Sequence, residues 1–199
     1  IDSRRKYILS VLTNYATAFA VTNHDGRAFT VYGQNLVTLG GRAPIHLRTL
    51  RVNGPAYPVT WSTETNWTLR LPLATGLNTL RVQGFDSQDR PDPTAGTTLN
   101  VTFAGTVPAP QSSVVFNEIM YHPATPNTGY VEIHNTSASY TFELSGWRLR
   151  GADFTFPEGT FIEPGAYLVV VNNRAAFAAL YGNRVPIAGE FEGRLRNDG

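Results

Sequence analysis

Apolar and polar residues alternate along most of the chain in short runs that end at turn residues. Residues 67–71, Trp-Thr-Leu-Arg-Leu, place tryptophan and two leucines on one side and threonine and arginine on the other. A period of two residues is typical of β-strands with one buried face. Leu80 and Val82 are expected to meet this strand across the same sheet. In the first half of the chain the pattern predicts seven strands, at residues 19–22, 29–32, 47–52, 59–61, 67–71, 79–85 and 98–103.

The second half of the chain predicts another group of strands. Residues 114–121 are rich in apolar side chains and run towards Pro123, which indicates a strand that enters a turn. Residues 130–134 alternate, with Tyr, Glu and His on one face and Val and Ile on the other. Residues 167–171 are apolar on both faces, which predicts a central strand. Further strands are expected at 147–149 and 154–156, from Phe161, and around Phe191 and Leu195.

Two short helices are predicted beside these strands. Residues 174–181 follow Asn172 and Asn173, either of which can cap a helix, and they end at Gly182. The apolar side chains of this helix, Phe177, Leu180 and Tyr181, would plug one end of a β-sandwich. Residues 1–12 also indicate a helix, because the apolar positions Ile8, Val11, Leu12 and Tyr15 recur at helical spacing.

The amino-acid composition limits the classes of protein to which this chain can belong. The chain has 199 residues, 42% hydrophobic and 16% charged, so it can build packed cores and has room for two small domains. The formal net charge is +1 and the arginines are dispersed, which argues against binding to nucleic acid. The absence of cysteine excludes disulfides and thiolate chemistry. No apolar run reaches about 18 residues, so no membrane span is predicted.

The order of the predicted elements gives a domain organisation. Residues 1–17 are interpreted as the closing helix of an upstream domain, 18–106 as a first β-sandwich and 114–199 as a second. Residues 107–113 contain two prolines and are predicted to form an extended linker. The chain starts without methionine and stops on Asp-Gly, a hairpin-turn signal with no return strand, which predicts a fragment of a longer protein.

Four motifs in the second half occur in the order found in the lamin tail domain. They are NEIMYHP, GYVEIHN, LSGWRL and FTFPEGTFIEPGAYLVVV, between residues 114 and 199. The region resembles that family, an immunoglobulin-like sandwich also found in bacterial secreted proteins. The resemblance implies a fold and an interaction role, and it implies no enzyme mechanism.

Two further resemblances concern the first half. The segments RVNG and PLATGLNTLRVQGFD, together with Trp61 and Trp67, resemble bacterial immunoglobulin-like modules attached to secreted enzymes. The segment IDSRRKYILSVL resembles the last helix of the CotH-like spore-coat kinase family, although the ATP-binding and catalytic motifs of such kinases are not in this chain. An ordinary amphipathic helix end is an equal interpretation. The predicted fold class is therefore all-β, with two tandem immunoglobulin-like β-sandwiches and two short helices.

Glu118 and Glu132 lie on two strands that can be neighbours. Paired carboxylates can perform acid–base chemistry or bind calcium. The alternative is that both face solvent or pair with arginines such as Arg148. No metal-ligand spacing links the histidines His24, His46, His122 and His134, so no metal centre is predicted from them.

Asp86, Asp89 and Asp92 form an acidic stretch between two predicted strands. Calcium prefers several oxygen ligands from one loop, so these residues are the candidate calcium ligands. They lack the spacing of an EF-hand, and a solvated hairpin loop is the competing interpretation. No other cofactor is predicted.

Aromatic side chains near predicted turns and edges are candidates for stacking on sugars. Tyr57, Trp61, Tyr130 and Tyr140 belong to this group, although aromatic residues in a sandwich more often fill its core. The candidate ligand-binding residues are thus Glu118, Glu132, Tyr130 and Trp61.

These patterns predict a non-catalytic interaction or scaffold module of a secreted or cell-surface bacterial multidomain protein. Its expected partner is a protein or a surface glycan. A carbohydrate-binding accessory module and the accessory region of a CotH-like kinase are the alternatives. An unpaired edge strand in the second sandwich also predicts a homodimer formed by strand exchange.

Overall fold

The structure is a computed structural model that describes Ser3, Arg4, residues 17–192 and Leu195. Apart from Ser3 and Arg4, the predicted N-terminal helix lies outside these residues. The chain clusters into two compact units, the first within Ile1–Tyr32 and Val37–Thr106 and the second within Gly33–Leu36 and Val107–Gly199. Both are built mainly from β-strands, which confirms the all-β fold class. No described helix is long and apolar enough to cross a membrane.

The first unit contains a four-stranded and a five-stranded sheet. The four-stranded sheet has the order β1–β3–β7–β6, and the five-stranded sheet has the order β2–β9–β8–β4–β5. Their bounds are β1 Ala20–Val21, β2 Phe29–Val31, β3 Leu36–Arg42, β4 Leu47–Val52, β5 Ala56–Tyr57, β6 Val59–Trp61, β7 Asn66–Pro72, β8 Gly76–Asp86 and β9 Pro91–Phe103.

The alternation predicted for residues 67–71 is confirmed. Trp67, Leu69 and Leu71 are 1–3% exposed, whereas Thr68 and Arg70 face solvent. The expected pairing with Leu80 and Val82 is wrong, because β7 and β8 belong to different sheets. Both sets of side chains are nevertheless buried, since each sheet turns its apolar side inwards.

Strand β3 is not among the predicted strands, and it contains two adjacent glycines, Gly40 and Gly41, a residue type that is depleted in strands. In the structure Gly41 pairs with Val21. A Cβ atom at Gly41 would collide with the Ala20 carbonyl and with the Trp67 ring. Glycine is therefore required here by close packing between strands rather than by a bend.

The second unit is organised around a sheet of order β10–β11–β16–β17, with β17 parallel to β16. Two small sheets, β12–β15 and β13–β14, complete it. The bounds are β10 Val114–Met120, β11 Tyr130–Asn135, β12 Phe142–Glu143, β13 Arg148–Leu149, β14 Phe154–Thr155, β15 Phe161–Ile162, β16 Tyr167–Val171 and β17 Ile187–Glu190. The residues predicted as a linker also lie in this unit, where Val107 packs against its core.

Strand β16 is central, as predicted from its two apolar faces. Leu168 and Val170 pack in the main core cluster with Ile133. Val169 and Val171 pack on the opposite side with Tyr130 and the helix α1 (Arg174–Tyr181). The helix begins where the Asn173 side chain accepts a hydrogen bond from the Ala176 N–H, at 2.8 Å.

Helix α1 covers a sheet face rather than one end of a sandwich. Phe177 is 3% exposed and contacts the Val169–Val171 side of β16. Leu180 and Tyr181 are 51% and 45% exposed, so the prediction that all three side chains form one plug is wrong. The reason is that Val169 and Val171, on the second face of β16, supply the apolar surface against which Phe177 is buried.

A segment from the first half of the sequence contributes to the second unit. Asn35, in Gly33–Leu36, is 1% exposed. Its side-chain amide donates to the Thr141 carbonyl at 2.9 Å, and its oxygen accepts from the Thr141 N–H at 2.8 Å. Both backbone groups of the buried Thr141 are thereby satisfied.

Candidate functional site

The β10–β11–β16 sheet has one side that faces away from Ile133, Leu168 and Val170, and we call this side the outer face. Directly opposed residues of antiparallel strands point to the same side, so register defines rows of neighbours across the three strands. Helix α1 covers one end of the outer face and leaves the other end open. The rows are Met120–Tyr130–Val171 under the helix, then Glu118–Glu132–Val169, then Val115–His134–Tyr167.

His134 and Tyr167 form a stacked pair on the open end of the outer face. Their ring centroids are 4.1 Å apart and the ring planes differ by 4°. Tyr167 is 41% exposed, and Val115, on the other side of His134, is 40% exposed. Strand β17 pairs with β16 only from Val169 onwards, so no described strand borders Tyr167 on its far side. The stack covers one face of each ring, so the Tyr167 face that points away from His134 is the one that lies towards this unpaired side of β16.

Glu118 and Glu132 are brought together, as predicted for neighbouring strands. They are register partners in the β10–β11 ladder, and a bulge between Phe116 and Glu118 leaves Asn117 as an extra residue. The Asn117 side-chain amide donates to Glu132 Oε1 at 2.7 Å. Opposed carboxylates repel each other, so this arrangement offers hydrogen-bond acceptors to an incoming ligand rather than stability to the fold.

Tyr130 lies in the row beside the carboxylates, under helix α1, and does not present its ring to a ligand. It is 8% exposed and makes edge-on contacts with Phe177 and Tyr181, each at 5.4 Å between centroids. Burial raises the pKa of the Tyr130 hydroxyl, and its hydrogen bond with Glu118 raises it further. The prediction of Tyr130 as a stacking platform is therefore wrong, because helix α1 covers the ring. Its hydroxyl instead hydrogen-bonds to Glu118.

Trp61, the fourth predicted ligand-binding residue, lies in the first unit. It pairs with the buried Trp67 in the β6–β7 ladder and is itself half-buried. Tyr57 and Tyr140 are half-buried as well. Of the four predicted residues, the structure brings together Glu118, Glu132 and Tyr130, and it places Trp61 elsewhere.

The three aspartates predicted as calcium ligands, Asp86, Asp89 and Asp92, each contact a different partner. Asp86 pairs with Arg90 at 2.7 Å, and Asp89 pairs with Arg51 at 2.7 Å. Asp92 contacts His46 Nε2 at 2.8 Å and accepts from the Thr94 hydroxyl at 2.7 Å. Hydrogen bonds from Arg90 lower the pKa of Asp86, and those from Thr94 lower the pKa of Asp92. The geometry thus gives the calcium hypothesis no support.

A cleft of about 360 Å³ opens where β10 ends in the NEIMYHP motif. Met120, Tyr121 and His122 line it on one side, with Asn127 and Phe191 among the other lining residues. Gly129 borders the cleft, and a Cβ atom there would lie 3.1 Å from the Met120 carbonyl oxygen. The motif therefore has a structural role, since it shapes the end of β10 and the turn that follows.

The described residues contain no group of three or more acidic, histidine or cysteine side chains that could hold a metal. His24 stacks on Phe29 with centroids 4.3 Å apart, and His46 pairs with Asp92. His134 faces Tyr167. The neighbours of these three histidines are thus aromatic or acidic side chains.

The sequence prediction missed His134 and Tyr167 as a pair. Alternation places His134 on the polar side of its predicted strand, but the strand of Tyr167 is apolar on both sides, so the pattern does not give the face of Tyr167. Their contact depends on the β11–β16 register, which joins segments more than thirty residues apart, as His134 and Tyr167 are. A search for aromatic and histidine side chains on both predicted strands could have suggested the pair.

Residues 107–197 match the family model of the Lamin Tail Domain, which confirms the resemblance predicted from the four motifs. A comparison with curated proteins gives no match. Among solved structures, the chain is similar to the SGBP-B protein of the Bacteroides ovatus mixed-linkage glucan utilization locus, in complex with a mixed-linkage heptasaccharide. The sequences are 10% identical with a TM-score of 0.25, which defines no shared fold. The alignment covers 78% of this chain and 46% of that chain, so this chain spans less than half of its neighbour.

The other resemblances predicted for the first half stay predictions. They are the similarity of the region 45–103 to bacterial immunoglobulin-like modules and that of the first twelve residues to the CotH-like kinase family.

Proposed function

We propose that this chain is a non-catalytic binding module of a secreted or cell-surface bacterial multidomain protein, and that its ligand contacts the outer face of the second unit. The observation that carries the proposal is the ordered row of His134 and Tyr167 beside the opposed carboxylates of Glu118 and Glu132. This surface combines a rigid aromatic patch with fixed hydrogen-bond acceptors, which are the elements of a recognition site.

The arrangement supports binding better than catalysis. Glu132 is held by the Asn117 amide, and Glu118 by the Tyr130 hydroxyl. Both carboxylates lie on an open sheet face, where water screens their charge and makes acid–base catalysis inefficient. The lamin-tail family match supports the same proposal through the interaction role that the resemblance implies.

Nuclear magnetic resonance can test this proposal with soluble fractions of bacterial envelope as probes. We expect saturable shifts at the His134 and Tyr167 rings, and Tyr167→Ala should remove them. Tyr32→Ala is the matched control, because Tyr32 is 76% exposed and belongs to the first unit. Saturable binding that Tyr167→Ala leaves unchanged, or turnover of ATP by this chain, would contradict the proposal.

A carbohydrate-binding accessory module is the second candidate, and the Tyr167 ring favours it. An exposed flat ring can pack against the apolar face of a pyranose, and carboxylates can accept hydrogen bonds from its hydroxyls. A glycan array with the unmodified protein, Tyr167→Ala and Tyr32→Ala would test it. Binding to one glycan class that is lost only with Tyr167→Ala is expected, and an array without saturable binding would exclude this candidate.

The accessory region of a CotH-like kinase stays a third proposal, which rests on the resemblance of residues 1–12 alone, since the ATP-binding and catalytic motifs of such kinases are not in this chain. A calcium site is not proposed.

A further inference from the structure

Strand β10 is an open edge of the main sheet in the second unit. It stands last in the order β10–β11–β16–β17 and pairs with β11 alone among the strands described. Its five inner residues, 115–119, are all exposed. An edge strand of this kind presents backbone N–H and C=O groups that can pair with another extended segment.

The edge carries apolar side chains on its core side. Phe116 is opposite Ile133 and Ile119 is opposite Val131, so both point to the side where the core lies. Ile133 and Val131 are 6% and 3% exposed, whereas Phe116 and Ile119 are 62% and 51% exposed. The apolar layer of the sheet therefore continues past β11 and ends on an uncovered strand, which is an energetic cost in water.

The other side of the same edge is acidic. Glu118 is exposed and lies beside Glu132, and the bulge directs Asn117 towards them. No lysine or arginine occurs in the three rows of the outer face, all of whose members are described. A segment lying along β10 would therefore meet apolar groups on one side and negative charge on the other.

We infer that the edge of β10 binds an extended peptide in which apolar and basic residues alternate. Its backbone would extend the sheet, its apolar residues would cover Phe116 and Ile119, and its lysine or arginine side chains would pair with Glu118. Charge complementarity favours such a segment over a second copy of β10, which would place its own Glu118 on the acidic side. This inference rests on the proposed binding function and names its partner.

Fluorescence anisotropy with synthetic peptides tests the inference on the intact chain. The probe is a labelled peptide about as long as β10, in which lysine alternates with valine, and the matched control replaces every lysine by glutamate. We expect saturable binding of the lysine peptide only. Glu118→Lys should weaken that binding about tenfold and allow the glutamate peptide to bind. Glu64→Lys, an exposed site in the first unit, should change neither.

Peptide N-methylation tests the backbone contact without altering the protein. Two versions of the lysine peptide carry methyl groups on alternate nitrogens, in complementary sets. Strand addition predicts that one version loses binding and the other retains it, because only alternate N–H groups face β10. Equal behaviour of both versions, or equal affinity for the lysine and glutamate peptides, would overturn the inference.

Two further outcomes separate this inference from the proposed function. If a glycan binds through Tyr167 while no peptide binds, the proposed function stands and the inference fails. If light scattering shows a dimer that Phe116→Ser dissociates, the occupant of the edge is a second copy and the peptide inference is overturned. A monomer that binds the lysine peptide supports it.

Discussion

Glu118 and Glu132 stand directly opposite each other across the β10–β11 ladder, with no lysine or arginine in the rows on either side. Like charges in this relation destabilise a sheet. We expect Glu132→Gln to raise the free energy of unfolding by about 0.5 kcal/mol, because glutamine can still accept the Asn117 hydrogen bond. Urea unfolding at low and high salt measures this, and the gain should shrink as salt screens the repulsion.

The control for this prediction is Glu64→Gln, a substitution at an exposed turn of the first unit. It should leave stability unchanged at both salt concentrations. A loss of stability with Glu132→Gln would show that Glu132 is bound by a cationic group, contrary to the geometry of the outer face.

The hydroxyl of Tyr130 predicts a loss of stability at alkaline pH. Burial and then the Glu118 hydrogen bond raise its pKa above the ordinary value of 10.0. A group whose folded pKa is raised contributes stability that is complete below the unfolded pKa and falls as pH increases above it. Melting temperatures should therefore fall above about pH 10, and more steeply in the unmodified protein than in Tyr130→Phe.

The matched control is Tyr32→Phe, since Tyr32 is 76% exposed. It should follow the pH profile of the unmodified protein. Identical alkaline profiles for Tyr130→Phe and the unmodified protein would refute the environment assigned to Tyr130.

Asn135 fixes several chain segments of the second unit through one side chain. It is fully buried, and its amide donates to the carbonyls of Tyr140, Ile162 and Glu163 at 2.7, 3.1 and 2.9 Å. Asn135→Ala should lower the free energy of unfolding by about 2–4 kcal/mol, because buried carbonyls lose their donors. Guanidinium unfolding measures the change.

The neighbouring Thr136→Ala removes only an exposed hydroxyl contact with the Ser113 carbonyl. It should cost less than about 1 kcal/mol. Equal effects of the two substitutions would contradict the role given to Asn135. Asn135 also begins an Asn-Thr-Ser sequon, but its burial prevents glycosylation of the folded chain.

Two adjacent glycines in β3 give a paired test of packing in the first unit. A Cβ atom at Gly41 would collide with the Ala20 carbonyl and the Trp67 ring, whereas one at Gly40 would lie 3.7 Å from its nearest neighbour. Gly41→Ala should destabilise the unit by about 1–3 kcal/mol or more, and Gly40→Ala should be tolerated. Thermal unfolding followed by tryptophan emission reports both, and equal stability of the two variants would exclude this packing.

The sequence predicted the elements whose signal is local. Alternation located most strands, the two-sided apolar run located β16, and Asn173 with Gly182 bounded helix α1. Four motifs predicted the match of residues 107–197 to the Lamin Tail Domain model.

Relationships between distant segments were not predictable in the same way. The assignment of β7 and β8 to different sheets depends on how whole strands pack, and the contact between His134 and Tyr167 depends on register. Strand β3 was not predicted, and its Gly41 is required by the close approach of the Trp67 ring, a contact that the local sequence pattern does not show. Of the candidate site, the carboxylates could be foreseen from the sequence, and the aromatic pair beside them could not.

The hydrogen bonds between Asn35 and Thr141 limit where this chain can be divided. A polypeptide that starts at residue 107 would contain every residue of the family match. The backbone of Thr141 would nevertheless lose both hydrogen bonds that the Asn35 side chain, in Gly33–Leu36, makes with it. The region that matches the family model and the compact unit seen in the structure therefore differ by the four residues Gly33–Leu36, which lie far upstream in the sequence. An excised second unit regains these two hydrogen bonds only if the tetrapeptide is fused to it or added as a separate peptide.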